Sequence, residues 1–265
     1  MNRPQMKWLN GCRAAVSLTY DDGNVSHHKV VAPLLEENGL RGTFYIPIMS
    51  DLRFHPQIWR ELAGKGHELG NHTLFHPCRS EPGAEMKWLD PVYNLCGYTS
   101  RRWTDEVDVA NFVLSLVDGK TKRTFGNTCY HTTIGSGDSV VDLEPFIQQR
   151  FVAARGEKTD KPVNLKEVNP YNLGTAGLDF RSFSDLEDEL HEVVEMGGWI
   201  IYTGHGVGKG SHTLYSDLSD HANLVKYLAA NRDRIWTAPL INVFEYLQLT
   251  LSNQRRRTNQ LQHFD

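Results

Sequence analysis

Short apolar runs alternating with amphipathic segments of helical length constrain this chain most. Residues 14–20 (Ala-Ala-Val-Ser-Leu-Thr-Tyr), 42–47, 67–71, 123–128, 150–154, 199–204 and 235–237 read as strands. Between them, Ser26 to Asn38, Pro56 to Ala63, Asp105 to Val117, Asp185 to Met196, Ser219 to Asn231 and Pro239 to Leu251 read as helices. Gly39 closes the first helix and Gly197-Gly198 the fourth, glycine being the favoured residue past a helix end. Ser184 is placed to cap the fourth, with Glu187 three residues on as in a capping box. Alternating strand and helix predict a parallel sheet, because parallel neighbours need a crossover that a helix supplies. The count alone fits seven or eight strands, and a barrel or an open sheet. Stretches 77–104 and 156–183 carry neither pattern and are expected to be long loops, which often shape substrate grooves.

Three of the expected strands end in side chains with chemistry. After the first comes Asp21-Asp22-Gly23; adjacent carboxylates repel, and a metal ion or shared proton would remove that cost. After the third comes His72-Thr73-Leu74-Phe75-His76, two imidazoles four residues apart. Trp199 to Thr203 delivers His205 between Gly204 and Gly206. Each piece alone has an ordinary reading as a turn, a surface pair or a structural histidine. Together they occupy one kind of place, the carboxyl end of a parallel strand, where α/β folds bind ligands. A ligand carboxylate, two ligand histidines, a spare carboxylate and a spare histidine make a catalytic metal site.

Composition narrows the alternatives. The 265 residues can bury one substantial core, and 40% hydrophobic with 23% charged residues is ordinary for a globular domain. A net charge of −4 argues against a nucleic-acid partner. Arg255-Arg256-Arg257, the one dense basic run, reads as part of a solvated polar tail. Cys12, Cys78, Cys96 and Cys129 form no Cys-x-x-Cys pair and are expected to be reduced or incidental. No run reaches transmembrane length, and Met1 to Lys7 lacks an apolar signal core. As written the chain is expected to be cytoplasmic, not exported and without membrane contact; a chain trimmed of a leader would read the same. Oligomeric state is not legible.

The motifs resemble those of the polysaccharide deacetylases of the NodB-homology type, carbohydrate esterase family four. Thr19-Tyr20-Asp21-Asp22-Gly23 is similar to the family's Thr-Phe-Asp-Asp-Gly, and His72-Thr73-Leu74-Phe75-His76 to its His-Ser/Thr-x-x-His. Tyr202-Thr203-Gly204-His205 resembles the strand that delivers the catalytic histidine. Arg41-Gly42-Thr43-Phe44-Tyr45-Ile46 and Gly64 to Gly70 agree with it. The resemblance implies a distorted, incompletely closed (β/α)7 barrel in a single domain over 1–265, with a core of about 12–250 and a polar tail at 251–265.

It also implies roles. Asp22, His72 and His76 would hold one divalent ion, most simply Zn2+, with Co2+ or iron compatible. Asp21 would be the general base and His205 the general acid. The middle of the chain departs from the family: Thr124 to His131 lacks the usual Arg-x-Pro. The groove arginine is therefore placed at Arg155, also steadying Asp21, and a backbone oxyanion donor near Tyr130. The aspartate that would orient His205 has no clear match; Asp179 is the candidate. Trp88, Tyr93, Tyr98, Trp103, Tyr171 and Tyr215 are candidate sugar platforms.

The implied activity is metal-dependent removal of acetyl groups, N- or O-linked, from a carbohydrate. A C–N hydrolase acting on a small cyclic amide or ureide is the alternative, and a non-catalytic glycan-binding module a third reading. The complete Asp22/His72/His76 set favours deacetylation over the second, and the retained Asp21 and His205 argue against the third.

Overall fold

The computed structural model describes the backbone of residues 6–261 and the side chains of 6–253. Among the described residues, seven parallel strands close into a barrel: β1 (Ala14–Tyr20), β2 (Thr43–Ile46), β3 (Glu68–Asn71), β4 (Phe125–Gly126), β5 (Ala154–Lys158), β6 (Leu173–Gly177) and β7 (Trp199–Gly204). β7 returns to β1 in register from Ala15↔Trp199 to Tyr20↔Gly204. The ring is distorted. β3 and β4 share the single pair Asn71↔Phe125, and β1 meets β2 only at Thr19 and Tyr20. Along the first half of that same edge β1 instead pairs with an eighth short strand, β8 (Ile235–Thr237).

Every residue of β1 is buried, as a parallel strand covered on both faces requires. Ala14, Val16, Leu18 and Tyr20 join the apolar layer under the helices. The alternate set, Ala15, Ser17 and Thr19, faces the other way, and there the interior is partly polar. Glu68 is held by Thr43 Oγ1 (2.9 Å), by the Thr124 amide (3.0 Å) and by the Ile241 amide (3.1 Å) at the start of α7. A helix N-terminus is a favourable partner for a buried carboxylate.

The outer helices are α1 (Ala32–Glu37), α2 (Pro56–Gly64), α3 (Ser100–Asp118), α4 (Glu144–Gln148), α5 (Phe183–Met196), α6 (Leu218–Ala230) and α7 (Leu240–Leu261). None is long and apolar enough to cross a membrane. α1 is shorter than its pattern, because the turns over His27–Val31 are π-helical. Pro33 has no N–H to give the Lys29 carbonyl, so the regular ladder cannot run through it.

Several sequence expectations are corrected. The cap of α5 is Ser182, not Ser184: its Oγ accepts from the Asp185 amide (3.2 Å) and donates to Asp185 Oδ2 (2.7 Å). The strand expected at 150–154 begins only at Ala154. β6 lies within the stretch expected to be a loop, because Leu-Gly-Thr-Ala-Gly offers one large apolar residue and two glycines. The core reaches back to Trp8, buried edge-on against Trp199. α7 continues past Leu251 to Leu261, and the side chains of Arg255 to Arg257 lie outside the described residues. Cys78 and Cys129 form a disulfide, so only Cys12 and Cys96 remain free. Their separation of 51 residues carries no sequence signature; the fold alone brings them together.

Candidate active site

The last ladder bond of β1 runs from the Asp21 amide to the Gly204 carbonyl (2.9 Å), and the chain then turns sharply at Asp22, whose φ is 76°. Aspartate tolerates this left-handed conformation better than most residues. The turn sends two adjacent carboxylates to different partners. Asp22 Oδ1 lies 3.1 Å from His76 Nε2 and 3.7 Å from His72 Nε2. His76 is also left-handed, at φ 58°. Strain of this kind persists where surroundings over-determine it, typically at functional sites.

These three residues suit a metal ion. Their donor atoms all lie within 4.8 Å of one another. Asp22 Oδ1 is buried with no hydrogen-bond partner, an arrangement that is costly unless something else satisfies it. His72 Nδ1–H donates to the Gly126 carbonyl (2.7 Å), which leaves the Nε2 lone pair free towards Asp22. Burial pushes His72 down to about 4, so it is neutral at physiological pH, as a ligand must be. A second trio, His76, Cys78 and Cys129, is equally close, but its sulfurs are tied up in the disulfide.

Asp21 is 5% exposed and turns to Arg155, whose Nη2 is 2.5 Å from Asp21 Oδ2. Arg155 Nη1 donates to Thr19 Oγ1 and Thr203 Oγ1, both at 2.9 Å, and the guanidinium lies 4.6 Å from the Tyr45 ring centre. Burial works against the Asp21 charge, but Arg155, with His72 and His205, outweighs it and holds the carboxyl below its usual range. Asp21 Oδ1 has no hydrogen-bond partner. Arg155 itself is wholly buried, so it sits beneath Asp21 and not in the groove where the sequence placed it.

Opposite stands His205. Asp179 Oδ2 accepts from His205 Nδ1–H at 2.6 Å, and Asp179 Oδ1 accepts from the His205 amide at 3.0 Å. Burial disfavours the imidazolium, but the Asp179 hydrogen bond and the charges of Asp21, Asp179 and Asp22 raise His205 above its ordinary value. His27, fully buried, donates to the His205 carbonyl at 2.7 Å. Tyr130 also borders this space, with φ 59°. Its own amide donates to the Asn127 carbonyl within the turn (3.2 Å).

A cavity of about 700 Å3 opens over these groups, with Met49, Phe75, Met86, Trp88 and Leu214 as its apolar walls. Of the six aromatic candidates, Trp88 borders it, 64% exposed and 6.2 Å from His76 between ring centres. Trp103 and Tyr98 are buried anchors, Tyr171 packs against the same cluster, Tyr93 stacks on Phe75, and Tyr215 meets Phe180 edge-on. The residue sequence reasoning missed is His212, whose Nε2 lies 3.3 Å from Asp22 Oδ2. A histidine in a glycine-rich loop gives no signal of its own.

Residues 10–128 match the family model described as polysaccharide deacetylase. Among curated relatives, a gellan lyase of Bacillus sp. is 22% identical over 262 residues, covering 91% of this chain but 10% of the relative. A chitooligosaccharide deacetylase of Sinorhizobium fredii is 37% identical over 70 residues, covering 26% of this chain and 32% of the relative. The chain thus spans between a tenth and a third of the length of these relatives. Among solved structures, a probable polysaccharide deacetylase from Pseudomonas aeruginosa superposes with a TM-score of 0.63 at 13% identity, covering 92% of this chain and 94% of that one. The solved structure shares the barrel, and the segment that matches the polysaccharide deacetylase family model carries Asp21, Asp22, His72 and His76.

Proposed function

We propose that this protein is a metal-dependent hydrolase that removes acetyl groups from a carbohydrate. The observation that carries this reading is the partnerless Asp22 Oδ1 facing two neutral-capable imidazoles, beside a second carboxylate oxygen that is also free. Asp22, His72 and His76 would hold the ion, and a set of two imidazoles and one carboxylate suits zinc while leaving positions open. When bound, a divalent ion there supplies Lewis acidity, lowering the pKa of water towards ~7 and polarising the acyl carbonyl.

The remaining work falls to the chain. Asp21, kept ionised by Arg155, offers Oδ1 to accept the proton of the attacking water. His205, whose Nδ1 is engaged by Asp179, presents Nε2 to give a proton to the departing amine or alkoxide. The charge states these roles need, Asp21 ionised and His205 protonated, are those their surroundings favour. The apolar walls exclude water, and the exposed Trp88 ring offers a flat surface for a sugar face. The relatives named as deacetylases support the acyl group and the carbohydrate class.

The test is acetate release from acetylated chito-oligosaccharides, peptidoglycan fragments and acetylxylan by zinc-loaded protein. Release from at least one, abolished by chelation and restored by zinc, is expected. No release from any of them, with zinc bound at about one ion per chain, would exclude this substrate class.

A further inference from the structure

Asp22 Oδ2, the oxygen turned away from the His72 and His76 pair, meets His212 Nε2 at 3.3 Å. The imidazole of His212 is set by its own loop. Its Nδ1 is held between the Leu214 carbonyl (3.0 Å) and the Leu214 amide (3.1 Å), and its Nε2 faces a carboxylate oxygen, which can only accept, so that contact takes the proton on Nε2. That proton points at the carboxylate. The same ring lies parallel to His205, with 5.3 Å between centres and an interplanar angle of 5°. One side chain therefore touches both halves of the site.

The loop is built to bring it there. The Gly206 amide donates to the Leu214 carbonyl (3.0 Å) and the Gly208 amide to the Ser216 carbonyl (2.9 Å), which folds residues 208–214 back over the strand end. A Cβ at Gly206 would lie 2.8 Å from His212 Cβ and 3.0 Å from its amide nitrogen. Only glycine at 206 leaves the loop room to sit this close.

We propose that His212 is a positioning residue of the metal site. Its Nε2–H holds Asp22 Oδ2, so that Oδ1 is turned to the ion shared with His72 and His76. Its ring face fixes the plane of His205. His212 is not itself a ligand: its donor atom falls outside the cluster formed by the other three. The proposal rests on the metal-site reading above. Partners of this kind typically govern 10–100-fold in metal affinity, because a carboxylate free to rotate loses its orientation towards the ion.

Zinc affinity of the purified full chain, measured by competition with a chromogenic chelator, tests this without reference to substrate. His212→Ala is expected to bind zinc about 10–100-fold more weakly. Gly206→Ala should weaken binding in the same direction by pushing the loop outward. His212→Gln, whose amide N–H can still reach the carboxylate, should recover most of the loss. Thermal melting of each variant separates this from unfolding, since the partly exposed His212 contributes little to the core. Wild-type affinity in His212→Ala overturns the proposal, as does equal weakening in His212→Gln and His212→Ala. A wild-type protein that binds no zinc removes the metal reading itself, and the positioning role with it.

Discussion

Asp21 divides its two oxygens between tasks: Oδ2 is locked to Arg155 Nη2 at 2.5 Å, while Oδ1 is buried and has no hydrogen-bond partner. A buried carboxylate is ionised only with such a cation beside it. Arg155→Met should therefore raise the Asp21 pKa, and the acid limb of the pH–rate profile should move to higher pH. Removing one partner of a buried pair should also cost about 3–5 kcal/mol of stability. An unshifted acid limb in a folded Arg155→Met protein would argue that Asp21 is not the base.

Asp21 and Asp22 are neighbours in sequence with different partners, so their substitutions should separate. Asp22→Ala should lose both metal and turnover. Asp21→Asn should keep the metal while turnover falls by roughly 10²–10⁴, the usual contribution of a positioned proton acceptor. Elemental analysis of the two variants decides the matter; equal metal loss would contradict these roles.

Asp179 holds His205 through two hydrogen bonds and raises its pKa. Asp179→Asn should lower that pKa, so the basic limb of the rate profile should move to lower pH. His205→Ala should keep the metal and spare an activated aryl acetate, whose phenolate leaves without a proton. Equal losses on aryl acetate and on a sugar ester or amide would make His205 an orienting residue instead.

His27, His67 and His221 are each pushed down to about 4, chiefly by burial. The unfolded chain binds their protons near 6.5 and the fold does not, so stability is complete above about 6.5 and falls as pH drops towards 4. Each should cost on the order of 3 kcal/mol by pH 4. Denaturant melts at pH 7, 5.5 and 4.5 will show it; a flat midpoint would mean these rings are not buried neutral.

The Cys78–Cys129 disulfide joins the loop of His76 to the turn of Tyr130. Closing 51 residues is worth about 4 kcal/mol in the chain-entropy model. Reduction should lower the melting temperature and weaken zinc binding by loosening His76, whereas Cys12→Ser and Cys96→Ser should leave zinc binding unchanged. Identical zinc affinity in oxidised and reduced protein would separate the crosslink from the site.

What the sequence determined by itself is what local patterning can encode. β1 and β7 are long, apolar and bounded by chemistry, and their residues 14–20 and 199–204 coincide with the observed strands. The residues at their ends, with His72 and His76, mark where ligands gather in parallel α/β folds. Only the tertiary structure decided the rest. β6 is recognisable as a strand only by its neighbours, because Leu173–Gly177 has too little apolar surface to announce itself. The disulfide, the Asp179–His205 pair and the approach of His212 to Asp22 join residues 51, 26 and 190 positions apart in the chain. No periodicity reports such pairings, since each is set by barrel closure and loop return rather than by the residues nearby in sequence.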